Sequence, residues 1–166
     1  VYGVEGEEHI FVKLPDNNDE LTKFSREFKN RDNCEVYFRR IVSFLMNEGV
    51  IDTSKNIIDA GAWIGDNAIP WAKRISGVVY AIDPSPNNCK YIKQIADMNG
   101  ITNVRALEVA LSNNSNPLYP FDDIDHTPFV ELSVLYEKNP NIKIDKDRIV
   151  FPQTIDYLCT SNVLDN

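Results

Sequence analysis

Two acids stand where strand-like runs end. Asp59 closes Asn56-Ile57-Ile58-Asp59, and Asp83 closes Gly77-Val78-Val79-Tyr80-Ala81-Ile82-Asp83, 24 positions later. Between them, Ala60-Gly61-Ala62-Trp63-Ile64-Gly65 is a turn of small residues carrying one indole. In a parallel strand–helix–strand unit, the turn after the first strand aims backbone N–H groups and a helix N-terminus at the crevice beside the sheet. Gly61 and Gly65 remove side chains there, so a ligand can approach the main chain closely. An acid ending the second strand accepts both hydroxyls of a ribose, which makes Asp83 the candidate ribose ligand. Asp59 faces the same crevice; a carboxylate there suits an ammonium or sulfonium group and repels a pyrophosphate. A dinucleotide fingerprint needs G-x-G-x-x-G. The run here is D-x-G-x-x-x-G, with Trp63 in place of the second glycine, and it fits S-adenosylmethionine (SAM) better than NAD.

The elements that must position these residues are legible around them. Asp66 to Ile75 reads as a helix, with Pro70 in its first turn, where the missing N–H costs little. Ser85-Pro86 gives an N-cap followed by proline at the first helical position. Cys89, Ile92, Ile95 and Ala96 form the apolar stripe of that second helix, and Asn99-Gly100 its left-handed stop. Val104 to Leu111 is a third strand-length run. The alternation βαβαβ implies a parallel sheet with right-handed crossovers.

Upstream, His9 to Leu14 reads as a short strand, stopped by the polar stretch Pro15 to Glu20. From Cys34 to Asn47, Val36, Phe38, Ile41, Val42, Phe44 and Leu45 fall mostly on one side of a helix. Downstream, Asn113 to Asp125 reads as loop, Phe129 to Leu135 and Arg148 to Phe151 as strands, and Thr154 to Cys159 as a helical turn. The expected fold is α/β: a Rossmann-like three-layer αβα sandwich with a mainly parallel sheet. It is expected as one domain over 1–166, with a lead-in at 1–54, the cofactor-binding core at 55–112 and a looser segment at 113–166.

Lys and Arg total 17 against 25 Asp and Glu, so the net charge is −8 over 166 residues. That balance argues against a nucleic-acid binder acting through a broad basic face. At 43% hydrophobic and 25% charged, the chain has the composition of a soluble globular domain. No apolar run is long enough to span a bilayer, and no basic-then-apolar leader opens the chain, so no membrane partner is expected. Val1 in place of Met suggests a processed or trimmed chain. Cys34, Cys89 and Cys159 are odd in number and widely spaced, giving neither a zinc pattern nor a disulfide framework. Reduced cysteines and a cytoplasmic location are the expectation, and with two histidines, no His-rich metal site.

Four blocks in order, Asp59 to Gly65, Tyr80-Ala81-Ile82-Asp83-Pro84-Ser85-Pro86, Asn99-Gly100 and Val109-Ala110-Leu111-Ser112, resemble the FkbM-type SAM-dependent methyltransferases. In that family the first block typically reads D-x-G-A-N-x-G, the second F-E-P-x-P and the third A-L-S. The resemblance covers about residues 35 to 115. It implies SAM as cofactor and O-methylation of a small-molecule or sugar hydroxyl. Asp59, Gly61 and Gly65 would then border the methionine part, with Asp83 on the ribose and Ala62 also among the cofactor-binding residues. Pro84, Ser85, Ala110, Leu111 and Ser112 would flank the adenine, and Trp63 would wall the pocket. Trp63 replaces the usual Asn, and Asp83 the usual Glu. The family's later K-x-D-V-E-G-like strand does not occur before Asn166, which implies a shortened chain or an incomplete enzyme.

Each of these residues also has a plainer role. Gly61 and Gly65 can simply pack a helix on a strand, Asp83 can cap the next helix, and Trp63 can be a core residue. His126, in the run Asp122-Asp123-Ile124-Asp125-His126, is the candidate general base, set against a solvated loop histidine. Cys89 reads as a small core residue, and Arg39-Arg40 and Lys73-Arg74 as solvated helix faces. An NAD-linked oxidoreductase and a non-catalytic scaffold of the same fold are the alternatives.

Overall fold

A computed structural model describes residues 37–120 and 129–164. The expected strand at His9 to Leu14, the beginning of the helix at Cys34 and the His126 loop lie outside the described residues. A helix, α1, runs through 37–47. It is followed by β1 (Ile57–Ala60), α2 (Ala68–Ala72), β2 (Val79–Asp83), α3 (Pro86–Met98) and β3 (Val104–Glu108). The segment beyond holds β4 (Leu118–Pro120), β5 (Phe129–Glu131), α4 (Leu132–Lys138), a 3₁₀ turn at Lys146–Arg148 and α5 (Ile155–Thr160).

The three long strands form one parallel sheet in the order β1-β2-β3. Ile57 stands opposite Val79, which stands opposite Val104, and the register runs on to Asp83 opposite Glu108. The chain is therefore of the α/β class, built as the βαβαβ pattern predicts. All five residues of β2 are buried, as expected of a central parallel strand covered on both faces. Val79 and Ala81 point to one face and join Trp63, Ile69, Trp71, Ile92 and Ile95 of the α2–α3 side. Tyr80 and Ile82 point to the other and meet Leu158 of α5 with Leu164.

α3 forms where its signals place it. The Ser85 hydroxyl accepts from Asn88 N (3.3 Å), Pro86 starts the helix, and Gly100 leaves it at φ +66. Cys89, Ile92, Ile95 and Ala96 are all buried. α2 is shorter than the expected Asp66 to Ile75, with Pro70 in its first turn as predicted. Its last carbonyl has a partner in Asn103, whose side-chain amide donates to Ala72 O (3.0 Å) and, in the connection that follows, to Ile75 O (3.2 Å) and Gly77 O (2.9 Å). One side chain thus fastens the helix end and the α2–β2 connection to the start of β3.

Several expectations need correction. The third strand ends at Glu108, and Leu111 makes only an isolated bridge to Gln153. The stretch read as loop contains β4. The stretch read as one strand from Phe129 becomes β5 and then α4, because β4 offers only three partners and the ladder ends at Leu118 opposite Glu131. Arg148 to Phe151 is no strand; the 3₁₀ turn precedes a single bridge between Val150 and Leu118.

The largest correction concerns α1. Phe38, Ile41 and Phe44 are exposed, whereas Met46 and Arg39 are buried, with Val42 half-buried. The inward stripe is therefore Arg39-Val42-Met46. Arg39, expected on a solvated face, is 2% exposed; its Nη2 sits 3.2 Å from Asp66 Oδ2, and its Nε donates to Asn67 Oδ1 at 3.0 Å. Arg74, just past the end of α2, is half-buried and donates to Asn47 Oδ1 (2.6 Å), a second tie to α1. A buried guanidinium is tolerated only when paired, and this pairing decides which face of α1 turns inward.

Removing one partner of this ion pair strands the other charge. Arg39→Ala is expected to lower unfolding free energy by about 3–5 kcal/mol, measured by urea denaturation, with Arg39→Met/Asp66→Leu recovering most of the loss. A loss within experimental error for the single variant would contradict the buried pair.

Candidate functional site

The turn between β1 and α2 is built around backbone bonds to β2. Gly61 N and Ala62 N both donate to Ile82 O, at 2.9 and 3.0 Å, and Gly65 N closes the turn on Ala62 O at 2.7 Å. Gly61 takes φ +76 and faces open space. Gly65 takes φ +85, and a Cβ added there would lie 3.0 Å from Ile69 Cγ1 and 3.4 Å from that of Ile92. Gly61 thus leaves main chain open to a ligand, while Gly65 serves the close packing of α2 and α3. Trp63 also lies in the left-handed region, at φ +47, which is unusual for a bulky residue.

Asp83 holds this turn. Its Oδ2 accepts from Trp63 N at 2.9 Å; its Oδ1 accepts from Ser85 N at 2.9 Å and from Asn88 Nδ2 at 3.0 Å. The carboxylate, 7% exposed, therefore joins the β1–α2 turn to the first turn of α3. Hydrogen bonds to an ionised acceptor are stronger than neutral ones. Below it, Cys89 Sγ donates to Asp83 O (3.4 Å). Burial, and then the nearby charges of Asp83 and Glu108, push the Cys89 thiol up to about 11.

A cavity of about 430 Å³ opens at the carboxyl end of β1, lined by Phe38, Ile58, Asp59, Ala60, Gly61, Asn67 and Trp71. That volume lies within the ordinary range of small-molecule sites, roughly 300–1,000 Å³. Asp59, 8% exposed, is the charged residue among the described residues that line it, and no described Lys or Arg does so. Phe38 and Trp71 form one wall, their rings 5.9 Å apart and inclined at 65°. The wall is held by the Arg39 clasp: Arg39 follows Phe38 in α1, and its partner Asn67 lines the cavity.

Of the residues singled out from sequence, Asp59 and Gly61 meet at this cavity. Ala62, Trp63 and Gly65 lie buried behind it. Asp83 sits beneath Trp63 and does not line it. Pro84 and Ser85 lie half-buried at the head of α3. Ala110, Leu111 and Ser112 run alongside Gln153, whose N donates to Ala110 O (2.9 Å) and whose O accepts from Ser112 N (3.1 Å). Val109 N donates to Asp83 O at 3.3 Å and keeps this strand end near β2. Phe38, Arg39, Asn67, Trp71 and Asn88 were not anticipated. Phe38 and Trp71 read as ordinary core residues, and only the five-residue offset from Asp83 could have flagged Asn88. No group of three His, Cys, Asp or Glu suited to a metal occurs among the described residues.

No family model, curated protein or solved structure matches the chain.

Asp83→Ala is expected to act on stability, at about 1–3 kcal/mol for each buried donor left without an acceptor, read by urea denaturation. Unchanged stability would contradict the three-donor clasp. At pH 8, iodoacetamide should modify half-buried Cys159 well before buried Cys89, followed by peptide mass spectrometry. A thiol raised in the folded state contributes stability below its ordinary value of 9.0, and that contribution is lost as pH rises from there toward about 11.

Proposed function

We propose that this chain is a Rossmann-like, SAM-dependent methyltransferase domain acting on a hydroxyl of a small molecule or glycan, in the manner of the FkbM-type enzymes it resembles. The observation that carries the reading is the cavity at the end of β1, where the described lining offers a buried carboxylate, an open glycine backbone and no Lys or Arg. Such a lining attracts an ammonium or sulfonium and disfavours a pyrophosphate, which sets SAM above NAD.

When bound, SAM would supply an electrophilic methyl group for in-line transfer to an acceptor oxygen, the C–S bonding pair returning to sulfur and the hydroxyl proton passing to solvent water. The residues here bind and align. Asp59 holds the ammonium of the methionine part, and the exposed backbone at Ala60 and Gly61 lets the ligand lie against the strand end. Phe38 and Trp71 form an apolar wall that keeps water from one side of the site. Alignment in a dry site supplies much of the acceleration for such a displacement. No described helix is long and apolar enough to cross a membrane, and the free cysteines suit the cytoplasm.

The commitment of Asp83 to the turn favours a second reading, a binding module of this fold that uses no cofactor. Titration calorimetry with SAM, S-adenosylhomocysteine and NAD separates the two. The methyltransferase reading expects both SAM and S-adenosylhomocysteine to bind, and Asp59→Asn to weaken each by roughly tenfold or more, the scale of a hydrogen bond to a charged group. Binding of NAD alone, or of none of the three, contradicts it.

A further inference from the structure

The ribose hydroxyls of a nucleoside cannot reach Asp83 as the closed turn stands. Its Oδ1 already accepts two donors, Ser85 N and Asn88 Nδ2, which fills the two lone pairs of that oxygen. Its Oδ2 accepts Trp63 N, and the turn carrying that N–H covers a carboxylate only 7% exposed. A diol that places one hydroxyl on each oxygen must displace a donor.

The three donors are not equally easy to remove. Ser85 and Asn88 belong to the capped first turn of a 13-residue helix, where the bond from Asn88 N to Ser85 Oγ holds both in place. Trp63 N lies in a short turn, at a residue held at φ +47. A bulky side chain in that region costs about 1–3 kcal/mol and persists only while its surroundings enforce it. Rotating the Ala62–Trp63 peptide plane swings the N–H off Asp83 and returns Trp63 to negative φ. The same rotation carries the Ala62 carbonyl away from Gly65 N, so one further bond of the turn is broken. Relief of the strain offsets part of that loss.

Resting on the SAM reading, we infer that the 61–65 turn is a latch worked by the ribose: Trp63 N–H closes Asp83, and a nucleoside diol opens it by taking the carboxylate and flipping the Ala62–Trp63 peptide. The latch discriminates by the diol. A nucleoside lacking both hydroxyls gives Asp83 no replacement donors and leaves the turn closed. The cationic end of the ligand meets Asp59 in either state, because neither Ala62 nor Trp63, whose peptide flips, lines the cavity at β1.

The wild-type chain serves for the test, so no variant has to fold. The ¹⁵N-labelled protein is titrated with SAM and, separately, with its 2′,3′-dideoxy analogue. The Trp63 amide proton is followed by NMR and binding by calorimetry. An amide bonded to a carboxylate resonates downfield. The latch predicts an upfield shift of the Trp63 amide that saturates with the calorimetric isotherm for SAM, and no such shift with the dideoxy compound. Calorimetric binding of SAM with the Trp63 amide unmoved overturns the latch while leaving the SAM reading intact. An equal upfield shift with both compounds also overturns it. Absence of SAM binding removes the reading on which the latch rests, and the latch with it.

Discussion

One carboxylate organises the carboxyl end of the sheet. Asp83 gathers a backbone N–H from the β1–α2 turn, a backbone N–H from the start of α3 and a side-chain amide from Asn88. These donors come from segments separated by a strand and a crossover, so the same charge sets the turn conformation and the position of α3. A buried ionised group is tolerable only with such partners. It forces Trp63 into the left-handed region, directs Gly61 outward toward the cavity and brings Gly65 against Ile69 and Ile92.

A second buried charge works on the other side of the turn. Arg39 reaches from α1 to Asp66 and Asn67, and so fastens the helix that carries Phe38 over the β1 end. The cavity is bounded by consequences of both clasps: Gly61 through the turn, and Phe38, Asn67 and Trp71 through α1 and α2. The central strand β2 is wholly buried, and α3 buries the one face that carries Asn88, Cys89, Ile92, Ile95 and Ala96. The turn between β1 and α2 combines an exposed backbone at Gly61 with a strained residue at Trp63, the combination expected where a ligand is to act.

The parallel core was legible because local and global signals agree there. Ile57-Ile58 and Val79 to Ile82 can be little other than strand, and Ser85-Pro86 with Asn99-Gly100 brackets α3 at both ends. Legibility failed where tertiary partners decide. Arg39 looks solvated until Asp66 is brought to it, and an inward arginine then rotates the whole stripe of α1. The Phe129 to Leu135 stretch carries a strand pattern, but its partner strand is short, and the chain turns helical once pairing ends. At the site, Asp59 and Gly61 were found through their place at a strand end. The grip of Asp83 on the N–H groups of Trp63 and Ser85 was not, because hydrogen bonds to a backbone N–H leave no mark on residue type. The aromatic wall was missed for a related reason: Phe38 and Trp71 meet only after two helices pack.

The central claim is that the carboxylate at the tip of β1 receives the cationic end of a nucleoside sulfonium cofactor. A crystal structure of the chain grown with S-adenosylhomocysteine, which keeps the same ammonium group, tests it most directly. The account predicts that ammonium within about 3 Å of an Asp59 carboxylate oxygen, beside Gly61. A ligand whose amino-acid end lies away from Asp59, or a cavity left empty by a ligand bound elsewhere, would contradict it.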